Sequence, residues 1–130
     1  MKHLLDIALD WARRSFPDEQ MKNPATRSLR VVEEAMELAQ ACDVPLETVQ
    51  LCATTVYSRP KGDVAQEIGG VLMTIYLFVG ALGWLYGGHS PIFFFVKELR
   101  RVLAKPPKHF TDRNAEKTAL GLDVPGKAIE

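Results

Sequence analysis

The sequence predicts an all-α protein, most simply an antiparallel bundle of four to five helices completed by oligomerisation. Two observations carry that expectation. Apolar residues recur at i, i+3, i+4, i+7 spacing along much of the chain. No stretch alternates polar and apolar residues with the two-residue period of a half-buried strand. A third observation, the 21-residue uncharged run from Ile68 to Gly88, supplies a long apolar helix for the middle of the fold.

The elements follow in order. Leu4, Ile7, Ala8, Trp11 and Ala12 form one helical face over 3–16. The segment PDEQMKNPAT (17–26) reads as a loop broken by Asn23-Pro24, with Thr26 as N-cap of a second helix over 27–43. Pro45 opens a short helix that ends near Ser58, because Pro60 disfavours helix in the residue before it. A long helix follows from Gly62 to Leu85. Tyr86-Gly87-Gly88 is a turn, and Ser90-Pro91 is an N-cap and N1 pair that starts a helix to Ala104. Pro106-Pro107 stops that helix, and one short helix near 112–120 precedes a polar tail. A length of 130 residues fits about one domain at roughly 150 residues each. The core is expected over 1–105, with a less regular C-terminal segment over 106–130.

Composition narrows the function classes. Hydrophobic residues at 47% and charged ones at 25% describe a globular domain, not a disordered chain. Sixteen Lys and Arg balance sixteen Asp and Glu, which excludes a polybasic binder of nucleic-acid polymers. The balance conceals an asymmetry. From Arg30 to Glu67 seven acidic side chains face three basic ones, a net of −4, and from Lys97 to Lys117 three acidic face seven basic, a net of +4. Cys42 and Cys52 form no CxxC or Cys/His cluster, so two small, partly buried thiols in a reducing cytoplasm are expected. His3, His89 and His109 are scattered and make no metal or catalytic set. The 68–88 run is long enough to span a bilayer, but it holds six glycines and opens on a polar stripe. Burial in a soluble bundle or dimer core is the expectation, with no membrane.

The acidic side chains are the informative ones. Glu34 and Glu37 are three apart in VVEEAMEL, hence neighbours on one helical face, with no base at i+4 from either. Like charges at that spacing repel by a few tenths of a kcal/mol, and a divalent cation turns repulsion into binding. A solvated face is the bland alternative. On the long helix Asp63, Glu67, Gly70 and Thr74 fall within a ~60° arc, either as a solvated first turn complementing the dipole or as a second acidic stripe facing the first.

These residues carry a resemblance. Glu33-Glu34-Ala35-Met36-Glu37, a spacer of 29 residues and then Glu67-Ile68-Gly69-Gly70 opening an apolar helix resemble the EExxE and ExxD pattern of the all-α NTP pyrophosphatase superfamily, the MazG-like and dCTPase-like enzymes. The likeness covers roughly residues 11–85. It implies a nucleoside triphosphate pyrophosphohydrolase that yields the monophosphate and pyrophosphate. Glu34, Glu37 and Glu67 are then ligands of Mg²⁺, or of Mn²⁺ in its place, with Glu33 behind them or positioning a water. Gly70 departs from the pattern, which places an Asp there. Asp63 supplies the missing carboxylate, water fills the vacancy, or catalysis is lost. In the last case the chain is a nucleotide-binding or protein-interaction module.

The resemblance also implies basic groups for the phosphates. Arg113-Asn114-Ala115-Glu116-Lys117 is similar to the family's N-x-x-(R/K) element, and Lys105 adds charge nearby. Trp11 lies where the family stacks an aromatic on the base, although it also fits the apolar face of the first helix. The expected partners are a nucleoside triphosphate and further copies of the chain, as a homodimer or homotetramer in the cytoplasm.

Overall fold

Prolines and polar caps divide the chain into seven α-helices and one 3-10 turn, and no strand occurs, among the residues described by the computed structural model, 3–88 and 90–124. The all-α expectation is met. His89 and the tail from 125 onward lie outside the described residues.

α1 (Leu4–Ser15) starts at His3, whose Nδ1 accepts the N–H of Leu5 at 3.3 Å. Asp6 in its first turn and Arg13 and Arg14 in its last complement the helix dipole. The expected loop after Pro17 contains a one-turn helix, α2 (Asp18–Met21). α3 (Pro24–Ala41) begins earlier than the sequence suggests, because Asn23 is the N-cap instead of Thr26. Asn23 Oδ1 accepts the N–H of Thr26 at 3.1 Å, and Pro24 occupies N1, where its missing N–H has no helical partner to lose. Asn-Pro thus opens a helix here, although the same dipeptide equally marks a break. Asp43 takes a left-handed φ of 59°, a conformation that short polar Asp tolerates, and α4 (Leu46–Tyr57) follows from Pro45 to Ser58 as expected. Cys42 and Cys52 are both exposed, not partly buried.

α5 (Val64–Leu82) is capped by Asp63 and runs into the 3-10 turn Gly83–Tyr86, which ends on Gly87 at φ 71°. Ser90 Oγ then accepts the N–H of Phe93 at 3.4 Å to start α6 (Pro91–Leu103). The Pro106-Pro107 pair that ends α6 also starts α7 (Pro107–Ala119), with Pro107 in its first turn. That helix begins about five residues sooner than its polar sequence implied.

The chain forms two units, one of Met1–Ser58 with Lys105–Glu130 and one of Arg59–Ala104. In the first, α7 packs on α1, and α2 on α1 and α3. Trp11 meets Phe16 and Phe110 edge-to-face at 5.6 and 4.9 Å between centroids. The Thr111 hydroxyl donates to the Ser15 carbonyl at 3.0 Å, and Ala12, Ser15, Thr26, Phe110 and Asn114 are buried. Residues 105–124 are therefore an integral layer of this unit, not an appendage. In the second unit α6 packs on α5, and Phe93 and Phe94 lie so close over Gly88 that no Cβ fits there.

The described residues of its own unit do not bury the long apolar helix. The stretch Val64–Tyr86 is long and apolar enough to cross a membrane by length and composition, and only 6% of its most apolar window is buried. Ile68 and Leu77 are 58% and 65% exposed.

Asn23 caps α3 and also donates from Nδ2 to the Val124 carbonyl at 3.1 Å. Asn23→Ala therefore lowers unfolding free energy by about 1–2 kcal/mol, measured by urea denaturation. An unchanged midpoint would show that neither bond contributes.

Candidate functional site

α3 presents the three glutamates of EExxE differently. Glu34 and Glu37 are exposed one turn apart. Glu37 makes no ion pair or side-chain hydrogen bond among the described residues. Glu33 is only a quarter exposed and is held from two sides. Lys117 Nζ lies 2.8 Å from Oε1 and 2.9 Å from Oε2, and Arg30 Nη1 lies 3.5 Å from Oε2. The acid assigned to water positioning is therefore anchored in salt bridges, and a cation assigned to phosphates, Lys117, is brought to the acidic helix.

The charges continue past Glu33. Arg30 Nη2 reaches Asp123 Oδ1 at 2.8 Å and its Nη1 donates to the Leu122 carbonyl at 3.2 Å. Asp123 Oδ2 accepts from Gln20 Nε2 at 3.0 Å and from the Thr118 hydroxyl. The chain can double back to α3 because Gly121, at φ 75°, ends α7. The N–H of Leu122 then reaches the Lys117 carbonyl and that of Gly121 the Thr118 carbonyl, both at 3.0 Å, which satisfies the last helical carbonyls. The N–H of Val124 donates to Thr26 Oγ1 at 3.3 Å. The result is an alternating series, Asp123, Arg30, Glu33, Lys117, that ties α7 and its following segment to α3. Sequence reasoning missed Gln20, Arg30 and Asp123. The i,i+3 spacing of Arg30 and Glu33 was a visible signal, whereas Gln20 and Asp123 are 103 positions apart.

Arg27 lies on the same helix with its guanidinium 5.5 Å over the Phe16 ring. Burial, then the neighbouring Arg30 charge, pull its pKa below the ordinary arginine value, and Asp123 partly offsets them. The Nε of Arg27 and Nε1 of Trp11 are buried without a hydrogen-bond partner among the described residues. Trp11, assigned to base stacking, is half-buried with its ring engaged by Phe16 and Phe110. Arg113 is exposed on α7 and Lys105 half-buried in the bend before Pro106, both without an ion pair among the described residues. Asn114 is buried, and its carbonyl accepts the Thr118 hydroxyl at 3.2 Å.

In the second unit the Asp63 carboxylate caps α5, its Oδ1 accepting the N–H of Gln66 at 3.0 Å. The Glu67 carboxylate folds back against Gly62, where a Cβ at that position would overlap it. Nothing stands within 4 Å of a Cβ built at Gly69 or Gly70, and Thr74 Oγ1 bonds the Gly70 carbonyl at 2.9 Å.

Among the described residues no group of three or more His, Cys, Asp or Glu is gathered to hold a metal ion by itself. Mg²⁺ asks for less, since one or two carboxylates suffice when water and substrate phosphates complete its octahedron. Glu34 and Glu37 are two carboxylates that α3 exposes one turn apart. No family model matches the chain, and no curated protein or solved structure matches it either.

A double-mutant cycle on Glu33→Gln and Lys117→Met gives a coupling of about 1 kcal/mol, diminishing as salt is raised. The pair is partly exposed, so a coupling near zero at low salt would remove Glu33 as the anchor of α7.

Proposed function

We propose that the protein is a Mg²⁺-dependent nucleoside triphosphate pyrophosphohydrolase. Water attacks phosphorus, the bond between the α- and β-phosphates breaks, and pyrophosphate leaves from the monophosphate. One observation carries this reading: the exposed Glu34–Glu37 pair directly follows a glutamate that already holds Lys117 beside Arg30. A metal-bound triphosphate needs carboxylates and cations at close quarters, and one unit of this chain supplies both.

Glu34 and Glu37 hold the ion with Glu67, which the sequence pattern assigns to it, and Asp63 or water takes the place of the carboxylate that Gly70 lacks. When bound, Mg²⁺ neutralises phosphate oxygens and favours attack by water. Glu33 positions Lys117, which grips a phosphate, with Arg113 and Lys105 as further cations. Asn114 supports α7 from within, and Trp11 borders the base. The active form is a cytoplasmic homodimer or homotetramer in which a second copy covers α5 and completes the antiparallel bundle. Covering one large apolar side chain is worth about 1.5–3 kcal/mol, and α5 leaves Ile68, Leu72, Met73, Ile75 and Leu77 exposed.

Pyrophosphate release, assayed on each ribo- and deoxynucleoside triphosphate with Mg²⁺, is expected from at least one substrate. Glu37→Gln and Glu67→Gln abolish it. Asp63→Ser keeps the helix cap, so a loss of activity there assigns Asp63 to the metal, and full activity assigns water. Nucleotide binding without release from any substrate overturns the enzyme and leaves a binding module.

Light scattering in detergent-free buffer gives twice or four times 14.5 kDa. A soluble monomer would overturn the interface on α5.

A further inference from the structure

We propose that Gln20, Arg30 and Thr118, with the charges of Arg27 and Lys117 alongside, form a cradle for a phosphate dianion, and that the Asp123 carboxylate occupies it in the resting chain. This rests on the proposed function only for the owner of the phosphate, since the cradle is argued from its own geometry. Three elements of one unit direct donors at a single carboxylate: Gln20 Nε2 from α2 at 3.0 Å, Arg30 Nη2 from α3 at 2.8 Å, and the Thr118 hydroxyl from α7. Convergence of a guanidinium, an amide and a hydroxyl on one anion is how proteins bind oxyanions. Arg27 lies within electrostatic reach of Asp123 and Arg30, and its Nε–H has no acceptor among the described residues.

The charges show a shortfall. Arg27, Arg30 and Lys117 bring three positive charges, and Glu33 and Asp123 bring two negative ones. If Asp123 leaves, the balance is +2, which a phosphate dianion neutralises with more acceptor oxygens than a carboxylate offers. Its departure is a local event. Asp123 sits two residues past the left-handed Gly121, so its release unfolds no helix. It breaks the bonds of Leu122, Asp123 and Val124 to Gln20, Asn23, Thr26, Arg30 and Thr118.

Calorimetric titration of the full chain with inorganic phosphate at fixed ionic strength tests the cradle. Hydrogen bonds to a charged group contribute about 1.5–3 kcal/mol, so removing the resident anion in Asp123→Ala tightens phosphate binding by about tenfold or more. Asp123→Asn gives a gain of the same sign, and it decides the question if Asp123→Ala fails to fold, because the amide keeps the size and one acceptor oxygen. The gain disappears in Asp123→Ala/Arg30→Ala. Unchanged phosphate affinity in a folded single variant, or a gain that persists without Arg30, overturns the proposal. Because phosphate binding is read without turnover, the two readings fail separately. Tighter binding in a protein that hydrolyses no triphosphate refutes the enzyme alone, and hydrolysis with no gain on Asp123 substitution refutes the cradle alone.

Discussion

The unit built from both ends of the chain depends on one run of ion pairs, Asp123 to Arg30 to Glu33 to Lys117. Its members are 15–25% exposed at the side chain, so each charge has lost part of its water and needs its neighbour. A surface pair of this length contributes little by itself. A partly desolvated series is different, because removing Arg30 or Glu33 leaves the end charge, Asp123 or Lys117, without its ion-pair partner. The same run sets the register of α7. Lys117 faces Glu33 only if Phe110 stays under Trp11 and the Thr111 hydroxyl stays on Ser15. Aromatic packing provides the contact area and the ion pairs select the register.

This arrangement divides the labour within EExxE. Consecutive residues on a helix point about 100° apart, so Glu33 and Glu34 cannot serve one ligand equally. Glu33 turns toward α7 and is neutralised there, while Glu37, one turn beyond Glu34, carries its charge into solvent. Glu33 therefore serves the packing of α7, while the next residues of the motif stand on the exposed side of α3. The net charge of zero is consistent with this. The acidic middle and basic C-terminal region are distant in sequence, and the ion pair of Glu33 with Lys117 joins them.

What the sequence disclosed follows from the range of each interaction. Ser90-Pro91, Pro45 and the apolar run after Asp63 act within a few residues, and the helices they start lie where local patterning places them. Asn23-Pro24 was equally local but ambiguous, because an N-cap followed by proline and a chain break are the same two letters until the Thr26 N–H is seen to bond Asn23. Pro106-Pro107 was ambiguous in the same way, since the pair both ends α6 and starts α7. The EExxE glutamates were legible as candidates. Their separation into an anchored Glu33 and an exposed pair was not, because it depends on Lys117, 84 positions away, and on the turn at Gly121 that returns Asp123 to Arg30. No periodicity encodes contacts of that span.

The long helix shows the opposite limit, where composition is legible and burial depends on more than one unit. An apolar face must be covered somewhere, and the described residues of its own unit leave α5 largely uncovered. Its side chains do suit another helix. Gly69, Gly70 and Gly80 have nothing within 4 Å of a built Cβ, so they leave shallow sites along a helix otherwise lined by Ile, Leu, Val and Met, into which larger side chains can interdigitate. Glu67 and the Asp63 cap confine the charged groups to its first turn, where solvated acids complement the dipole and apolar packing can start immediately after.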